Sequence, residues 1–187
     1  MNIFVLDNDP VESARMMCDK HVVKMILESC QLLSTAHHVL DGEQILVQSD
    51  KRKYKTYLCK LTGICKATMV NHPCTIWARE SRKNYIWLWK HAHALCNEYK
   101  QRYGKTHAME SMLLGPLYNP PKKIIGKTLT AFPQAMPDTY KDKDAVIAYR
   151  KYYIGEKIRF AKWKASPIPA WFDAKDPLQG LADPIPF

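Results

Sequence analysis

The chain has 187 residues and carries 28 Lys and Arg against 18 Asp and Glu, which gives a formal net charge of +10. With 47% hydrophobic residues it can bury a core, so the disordered, collagen-like and low-complexity classes are excluded. No apolar run approaches the about 18 residues of a membrane span, and acidic residues come too early for a secretory signal. We therefore expect one soluble, cytoplasmic domain without a membrane partner, in which the six cysteines are reduced thiols.

The positive charge is concentrated in the first 164 residues. Residues 165–187 hold one Lys and three Asp, so residues 1–164 carry +12. The C-terminal segment also holds five of the twelve prolines, which remove hydrogen-bond donors and disfavour helix. The sequence thus predicts a basic domain over 1–164 and an extended Pro-rich tail over 165–187, packed on the domain through Trp171 and Phe172.

The spacing of apolar residues is helical along most of the domain. It predicts helices at about residues 10–17, 20–40, 71–104, 106–114 and 142–163. Ser81 is a candidate break in the third of these regions, and Gly104 is its predicted end. Prolines and glycines predict a loop over 115–141, and only residues 2–6 resemble a strand. The predicted fold is mostly α, a single compact helical domain with a short N-terminal strand.

Six polar side chains share one face of the second predicted helix. Spacings of three and four residues place on it His21, Lys24, Glu28, Gln31, Thr35 and His38. An imidazole, an amine and a carboxylate on one face form a candidate catalytic group, and Asp19 is a further candidate carboxylate. Lys20 and Lys24 are candidates for binding a phosphate together with the helix N-terminus. The alternative is an ordinary amphipathic helix with a Lys24–Glu28 ion pair.

His72 is another candidate, because a residue before a proline is held extended and its ring is aimed away from the following helix. No Cys-x-x-Cys pair accompanies it, so no metal site is predicted. P-loop, Rossmann and serine-hydrolase motifs are also missing, and no cofactor is expected.

The segment 130–138 is a candidate for contact with bases. Two prolines stiffen it, and it carries Phe132, Gln134 and Met136, which are suited to wedge into a base stack or to read a base edge. The alternative is that this loop packs against the last helix. Elsewhere, basic residues interleaved with aromatic ones are typical of DNA-binding surfaces. With Lys20, the candidates for binding DNA are therefore Arg52, Lys53, Arg102, Lys105, Arg150 and Lys157.

Several segments together resemble a known family, namely residues 1–10, 18–25, 71–73, 102–104, 134–138 and 148–153. Over about residues 1–172 the chain is similar to small phage and bacterial proteins that are often described as pyrimidine-dimer DNA glycosylases. That family is in turn similar to an anti-phage glycosylase that excises glucosylated hydroxymethylcytosine from phage DNA. The resemblance implies an enzyme that acts on double-stranded DNA with damaged or modified bases.

The start of the chain departs from that family. The small helical pyrimidine-dimer glycosylase of phage uses the amine of a processed N-terminal Thr as its nucleophile. This chain begins Met1-Asn2, a pair from which Met is not expected to be removed. We therefore expect neither the same nucleophile nor strict specificity for dimers.

The patterns and the resemblance favour a monomeric DNA glycosylase that flips out its target base. Cleavage of the N-glycosidic bond builds positive charge on the sugar, so a carboxylate is needed, and Asp19, or else Asp7 or Glu28, is the candidate. His21 or His72 is expected to protonate the base or to hydrogen-bond it.

Monofunctional chemistry is expected, because carboxylates near Lys20 and Lys24 keep both amines charged rather than ready to form a Schiff base. Two alternatives remain at this point. One is a transferase that modifies phage DNA bases, and the other is a non-catalytic DNA-binding protein.

Overall fold

The structure is a computed structural model that describes residues 1–48 and 53–181, and it is mostly α as predicted. The elements of these ranges are α1 (Pro10–Arg15), α2 (Asp19–Asp41), β1 (Glu43–Gln48), β2 (Lys53–Leu58), α3 (Pro73–Glu80), α4 (Arg82–Tyr103), α5 (Glu110–Leu114), α6 (Ala145–Tyr152) and α7 (Ala170–Asp173). No helix in the described ranges combines the length and apolarity needed to cross a membrane.

The caps of three helices confirm boundaries predicted from the sequence. The Asp9 carboxylate accepts two backbone N–H groups of the first turn of α1. Ser81 separates α3 from α4, and its hydroxyl accepts the backbone N–H of Asn84 at 3.1 Å. Gly104 ends α4 at φ 64°, a left-handed conformation that glycine adopts without steric cost.

The core lies between α2 and α4, with α1 packed on α4 and α3 packed on both helices. The segment 3–6 passes through this core as irregular chain and is buried. The predicted N-terminal strand is therefore wrong. Backbone N–H groups of the segment bond side chains instead of a partner strand, as when Leu6 donates to the Ser13 hydroxyl at 3.0 Å.

An antiparallel hairpin of β1 and β2 follows α2 and was not predicted. Its register pairs Glu43 with Leu58 and Gln48 with Lys53. The consecutive apolar residues 45–47 hide the alternation by which a half-buried strand is recognised. Lys53 is exposed on the hairpin, whereas Arg52 lies outside the described residues.

The C-terminal part of the chain is less helical than predicted in one place and more helical in another. α6 ends at Tyr152 and continues only as a π-helical turn, Tyr153–Lys157. In the tail, α7 contradicts a wholly extended conformation. Trp171 is buried against the rest of the protein, but the division at residue 164 stays a prediction.

The long loop between α5 and α6 is held in place by side chains of the helices. Asp41 at the end of α2 accepts the backbone N–H groups of Lys122 and Lys123 at 2.8 and 3.0 Å. Asn84 accepts the backbone N–H of Thr130 at 3.0 Å. These contacts position the loop segment that approaches the start of the chain.

Candidate active site

The polar face of α2 divides into two halves. In the half nearer the C-terminus, the Thr35 hydroxyl accepts the backbone N–H of Thr68 at 3.1 Å. The ring of His38 hydrogen-bonds the backbone of Cys59 and Cys65 at 3.0 and 2.9 Å. This half therefore holds the segment that follows the hairpin. The half nearer the N-terminus carries the candidate catalytic groups.

Glu28 is a carboxylate held in one orientation at the edge of the core, with 9% of the residue exposed. Its Oε2 accepts the backbone N–H of Asn2 at 3.0 Å, and its Oε1 lies 3.2 Å from Lys24 Nζ. The Lys24 side chain is itself 68% exposed, so this side of Glu28 borders on solvent. Glu28 thus has one partner inside the protein and one exposed partner at the surface.

The ring of His72 lies near enough to this carboxylate for the Glu28 charge to affect its pKa. Burial and then the charge of the Met1 amine lower the pKa of His72, while Glu28 opposes them. Its Nδ1 accepts the backbone N–H of Cys74 at 3.2 Å and so caps α3. Because Nδ1 accepts, the neutral ring carries its proton on Nε2. His72 therefore offers a hydrogen-bond donor within electrostatic range of Glu28.

The first residues of the chain form one wall of this site. Asn2 Nδ2 donates to the carbonyl of Ala135 at 2.8 Å, and its Oδ1 accepts the N–H groups of Ile3 and Phe4 at 2.7 and 3.2 Å. Phe4 has φ 42°, which is strained for a residue with a side chain, and its ring stacks on His21 at a centroid distance of 4.4 Å. Sequence reasoning missed Asn2, because a bond to a loop far along the chain leaves no local signal.

His21 is buried and neutral. Its Nδ1 lies 2.5 Å from the Tyr153 hydroxyl, which also accepts the backbone N–H of Cys18 at 3.3 Å. The same hydroxyl lies 3.6 Å from the Cys18 sulfur, so its one proton has two acceptors within reach, Nδ1 and the sulfur. Burial, then the charges of Lys157 and Lys24, lower the pKa of His21 to about 3. At neutral pH the ring can donate a hydrogen bond but is not an acid.

Three lysines gather around His21, namely Lys24 and two that lie over aromatic rings. Lys157 Nζ lies 4.2 Å from the centroid of the Tyr152 ring, and Lys20 Nζ lies 5.1 Å from that of Phe160. An aromatic face attracts a cation without neutralising it. This corner of the protein therefore keeps positive charge available for an anion.

Asp19, another predicted catalytic residue, belongs to a buried ion network. Its Oδ1 accepts a hydrogen bond from Arg102 at 3.2 Å, and its Oδ2 accepts the backbone N–H of Lys164 at 3.0 Å. The Arg102 side chain is fully buried and also pairs with Glu98 at 2.8 Å. Asp19 thus ties α4 and the chain after α6 to the start of α2. The burial of Arg102 contradicts the prediction that it binds DNA.

Asp7 and Arg150 form a similar pair at the other end of the N-terminal segment. Asp7 Oδ1 accepts the backbone N–H of Asp9 at 2.9 Å, and its Oδ2 lies 3.7 Å from Arg150. Arg150 is only 1% exposed, and its Nε donates to the carbonyl of Leu6 at 2.9 Å. A buried guanidinium cannot reach a phosphate, so the prediction that Arg150 binds DNA is wrong.

The family comparison covers the residues that build this site. A family model described as pyrimidine dimer DNA glycosylase matches residues 1–111, more than half of the chain. The chain belongs to the pyrimidine dimer DNA glycosylase family. Membership implies a DNA glycosylase with DNA as its substrate, and the matched part contains the N-terminal segment, Glu28 and His72. No curated protein and no solved structure matches the chain significantly.

The segment 130–138, which was predicted to contact bases, makes contacts within the protein. The Phe132 ring packs on two tryptophan rings at centroid distances of 5.3 and 4.9 Å. The amide group of Gln134 both donates to and accepts from the backbone of Asp142, at 2.6 and 3.0 Å. Met136 is half-buried and packs against the core. The loop therefore packs against the protein, and the wedge role of its three half-buried residues stays a prediction.

The other predicted residues lie at the surface. Lys53 and Lys105 are exposed and stay candidates for DNA contact. Over residues 1–48 and 53–181, no group of three or more His, Cys, Asp or Glu side chains is arranged to hold a metal ion. All six cysteines are free thiols.

Proposed function

We propose that this glycosylase excises a damaged or modified pyrimidine from double-stranded DNA and leaves an abasic site, with Glu28 as the carboxylate that stabilises the cationic sugar. The supporting observation is the geometry of Glu28, bonded inward to the Asn2 N–H and outward to an exposed Lys24. The rival carboxylates, Asp19 and Asp7, are paired with buried arginines. The enzyme is expected to act as a monomer and without a cofactor.

In the proposed reaction, the C1′–N bond breaks and its electron pair leaves with the base. Positive charge develops at C1′, where the Glu28 carboxylate stabilises it, and water adds there and releases a proton. The departing base gains negative charge and needs hydrogen-bond donors. The Nε2–H group of His72 suits this role, since the ring has a lowered pKa and is neutral.

The three lysines near His21 are proposed to hold the phosphates that flank the target nucleotide. Lys20 and Lys157 lie over aromatic rings, so phosphates can approach them without displacing a carboxylate partner. Reaching the glycosidic bond requires that the nucleotide turn out of the duplex, and anchored flanking phosphates help to keep it in that conformation.

The specific base that we propose as the substrate is glucosylated hydroxymethylcytosine of phage DNA. The dimer-specific phage enzyme needs an N-terminal amine, whereas the nitrogen nearest to Glu28 here is the peptide nitrogen of Asn2. The test incubates the protein with unmodified, hydroxymethylated, glucosylated and ultraviolet-irradiated DNA and then probes for alkali-labile sites. We expect sites in the glucosylated DNA. Sites in irradiated DNA alone would assign dimers as the substrate, and none in any DNA would contradict excision.

Binding to unmodified double-stranded DNA is expected to be electrostatic, given the +10 net charge. With roughly five phosphate contacts, the logarithm of the binding constant should fall with the logarithm of salt concentration at a slope of about −4 to −5. In titrations at several salt concentrations, Lys20→Ala and Lys157→Ala should each make the slope shallower by about 1. Lys175→Ala, a change at an exposed lysine of the tail, is the control and should leave it unchanged. A salt-independent affinity would contradict this DNA-binding surface.

Borohydride added during turnover is expected to trap no covalent protein–DNA adduct. Lys24 is ion-paired with Glu28, and an ammonium is not a nucleophile. With Met1 joined to it, the Asn2 nitrogen is an amide and cannot form a Schiff base. The measurement is a denaturing gel together with the intact mass of the protein. An adduct that disappears in Lys24→Ala, or one that persists there and requires loss of Met1, would contradict the hydrolytic mechanism.

A further inference from the structure

We propose that Met69 is the side chain that enters the base stack when the target nucleotide leaves it. This inference rests on the proposed base excision and gives it a residue that the sequence analysis did not identify. The site needs such a residue, because Phe132 and Gln134 are engaged within the protein. Apolar side chains, methionine among them, are the usual wedges that proteins insert between base steps.

Met69 is presented to solvent by a backbone that is fixed on both sides. On one side, the Thr35 hydroxyl accepts the N–H of Thr68 at 3.1 Å, while its own proton goes to the Gln31 carbonyl at 2.7 Å. On the other side, the Met69 carbonyl accepts the N–H of His72 at 2.9 Å and closes a tight turn. The side chain between these anchors is 54% exposed. An exposed apolar side chain on a fixed turn is suited to insertion into DNA.

The turn that contains Met69 also lies near the candidate active site. It joins Thr35 of α2 to His72, and the ring of His72 lies close enough to Glu28 for that charge to affect its pKa. Thr35 lies seven residues beyond Glu28 on the same helix face, a rise of about 10 Å. Met69 therefore stands at the border of the site that contains Glu28 and His72.

The backbone of Met69 is strained in a turn that hydrogen bonds on both sides hold in place. Its φ is 46°, in the left-handed region where glycine or asparagine is comfortable. Strained residues persist where the surrounding structure holds them, and they cluster at functional sites. Of the other two non-glycine residues with positive φ in the described ranges, Phe4 at φ 42° borders the same site and Lys175 at φ 57° lies in the tail. Methionine at this exposed position is thus costly for the fold, and its flexible, polarisable side chain suits contact with bases.

The test compares excision from double-stranded and single-stranded oligonucleotides that carry one glucosylated hydroxymethylcytosine or one thymine dimer. A wedge is needed only where a duplex has to be opened. Met69→Ala is therefore expected to lower excision from the duplex by about tenfold and excision from the single strand by less than about twofold. Met69→Leu should retain most of the duplex activity. Leu178→Ala, which shortens a side chain of 57% exposure in the tail, is the matched control and should change neither rate.

A second measurement, 2-aminopurine fluorescence, reports directly on the stacking of the bases next to the target. With 2-aminopurine placed next to the target, wild-type protein should raise the fluorescence as the base unstacks, and Met69→Gly should raise it less while its melting temperature does not fall. Equal duplex activity in Met69→Ala and wild type, or equal losses on both substrates, would overturn the assignment. Absence of base release by the wild type on every substrate would instead contradict the proposed excision.

Discussion

Replacing Glu28 with Gln is expected to lower the turnover of base excision by about 10²–10³-fold, the usual effect of removing one preorganised electrostatic group. The glutamine carbonyl can still accept the N–H of Asn2, so the N-terminal segment should stay in place. Lys20 and Lys157 are untouched, and DNA affinity should therefore change little. Single-turnover kinetics with saturating enzyme separate the chemical step from binding.

Glu156→Gln is the matched control for this substitution. Glu156 is an exposed carboxylate next to Lys157, and it accepts a hydrogen bond from the Tyr140 hydroxyl at 2.9 Å. The Glu156→Gln substitution removes one negative charge, as Glu28→Gln does, but from the neighbouring surface. No reacting atom is expected there, so turnover should stay near that of the wild type. If Glu28→Gln keeps full turnover, or if both variants lose it equally, the reaction does not depend on the Glu28 carboxylate.

Arg102→Met is expected to lower the free energy of unfolding by about 3–5 kcal/mol, because it leaves two buried carboxylates without their partner. Asp19 and Glu98 are both 8% exposed, and the arginine between them has no exposed side-chain surface. The measurement is urea denaturation followed by circular dichroism. Lys105→Met, an exposed change nearby in the chain, should stay within about 0.5 kcal/mol of the wild type.

The same pair of variants tests the earlier hypothesis that Arg102 binds DNA. A DNA-contacting arginine would give a variant with normal stability and weaker binding. The buried network gives the opposite result, a less stable protein whose folded fraction binds DNA normally. A stability equal to that of Lys105→Met would contradict the structural role of the network.

Local signals in the sequence were enough to predict most helices. Side-chain caps such as that of Asp9 act over two or three residues, and the left-handed Gly104 terminates a helix by its own conformation. The polar face of α2 follows from helical spacing alone, and it includes Glu28. These features depend on neighbours in the chain, so they could be predicted without knowing the tertiary structure.

Contacts between distant parts of the chain could not be predicted in this way. The sequence does not distinguish a carboxylate that is paired inside the protein from a free one, so Asp19 was preferred to Glu28 before the partners of Asp19 were known. The arginines of the basic and aromatic segments were mistaken for surface residues for the same reason. Met69 carries no motif at all, and its strained turn depends on the bond between Thr68 and Thr35.

The most direct test of the account is mass spectrometry of the products formed from a duplex with one glucosylated hydroxymethylcytosine, with a thymine-dimer duplex run in parallel. The wild-type protein should release base from one of these duplexes and leave an intact strand with one abasic site, and Glu28→Gln should leave that duplex almost unchanged. A strand that gains mass on its base would identify a transferase. Substrate DNA of unchanged mass throughout would contradict base excision by this protein.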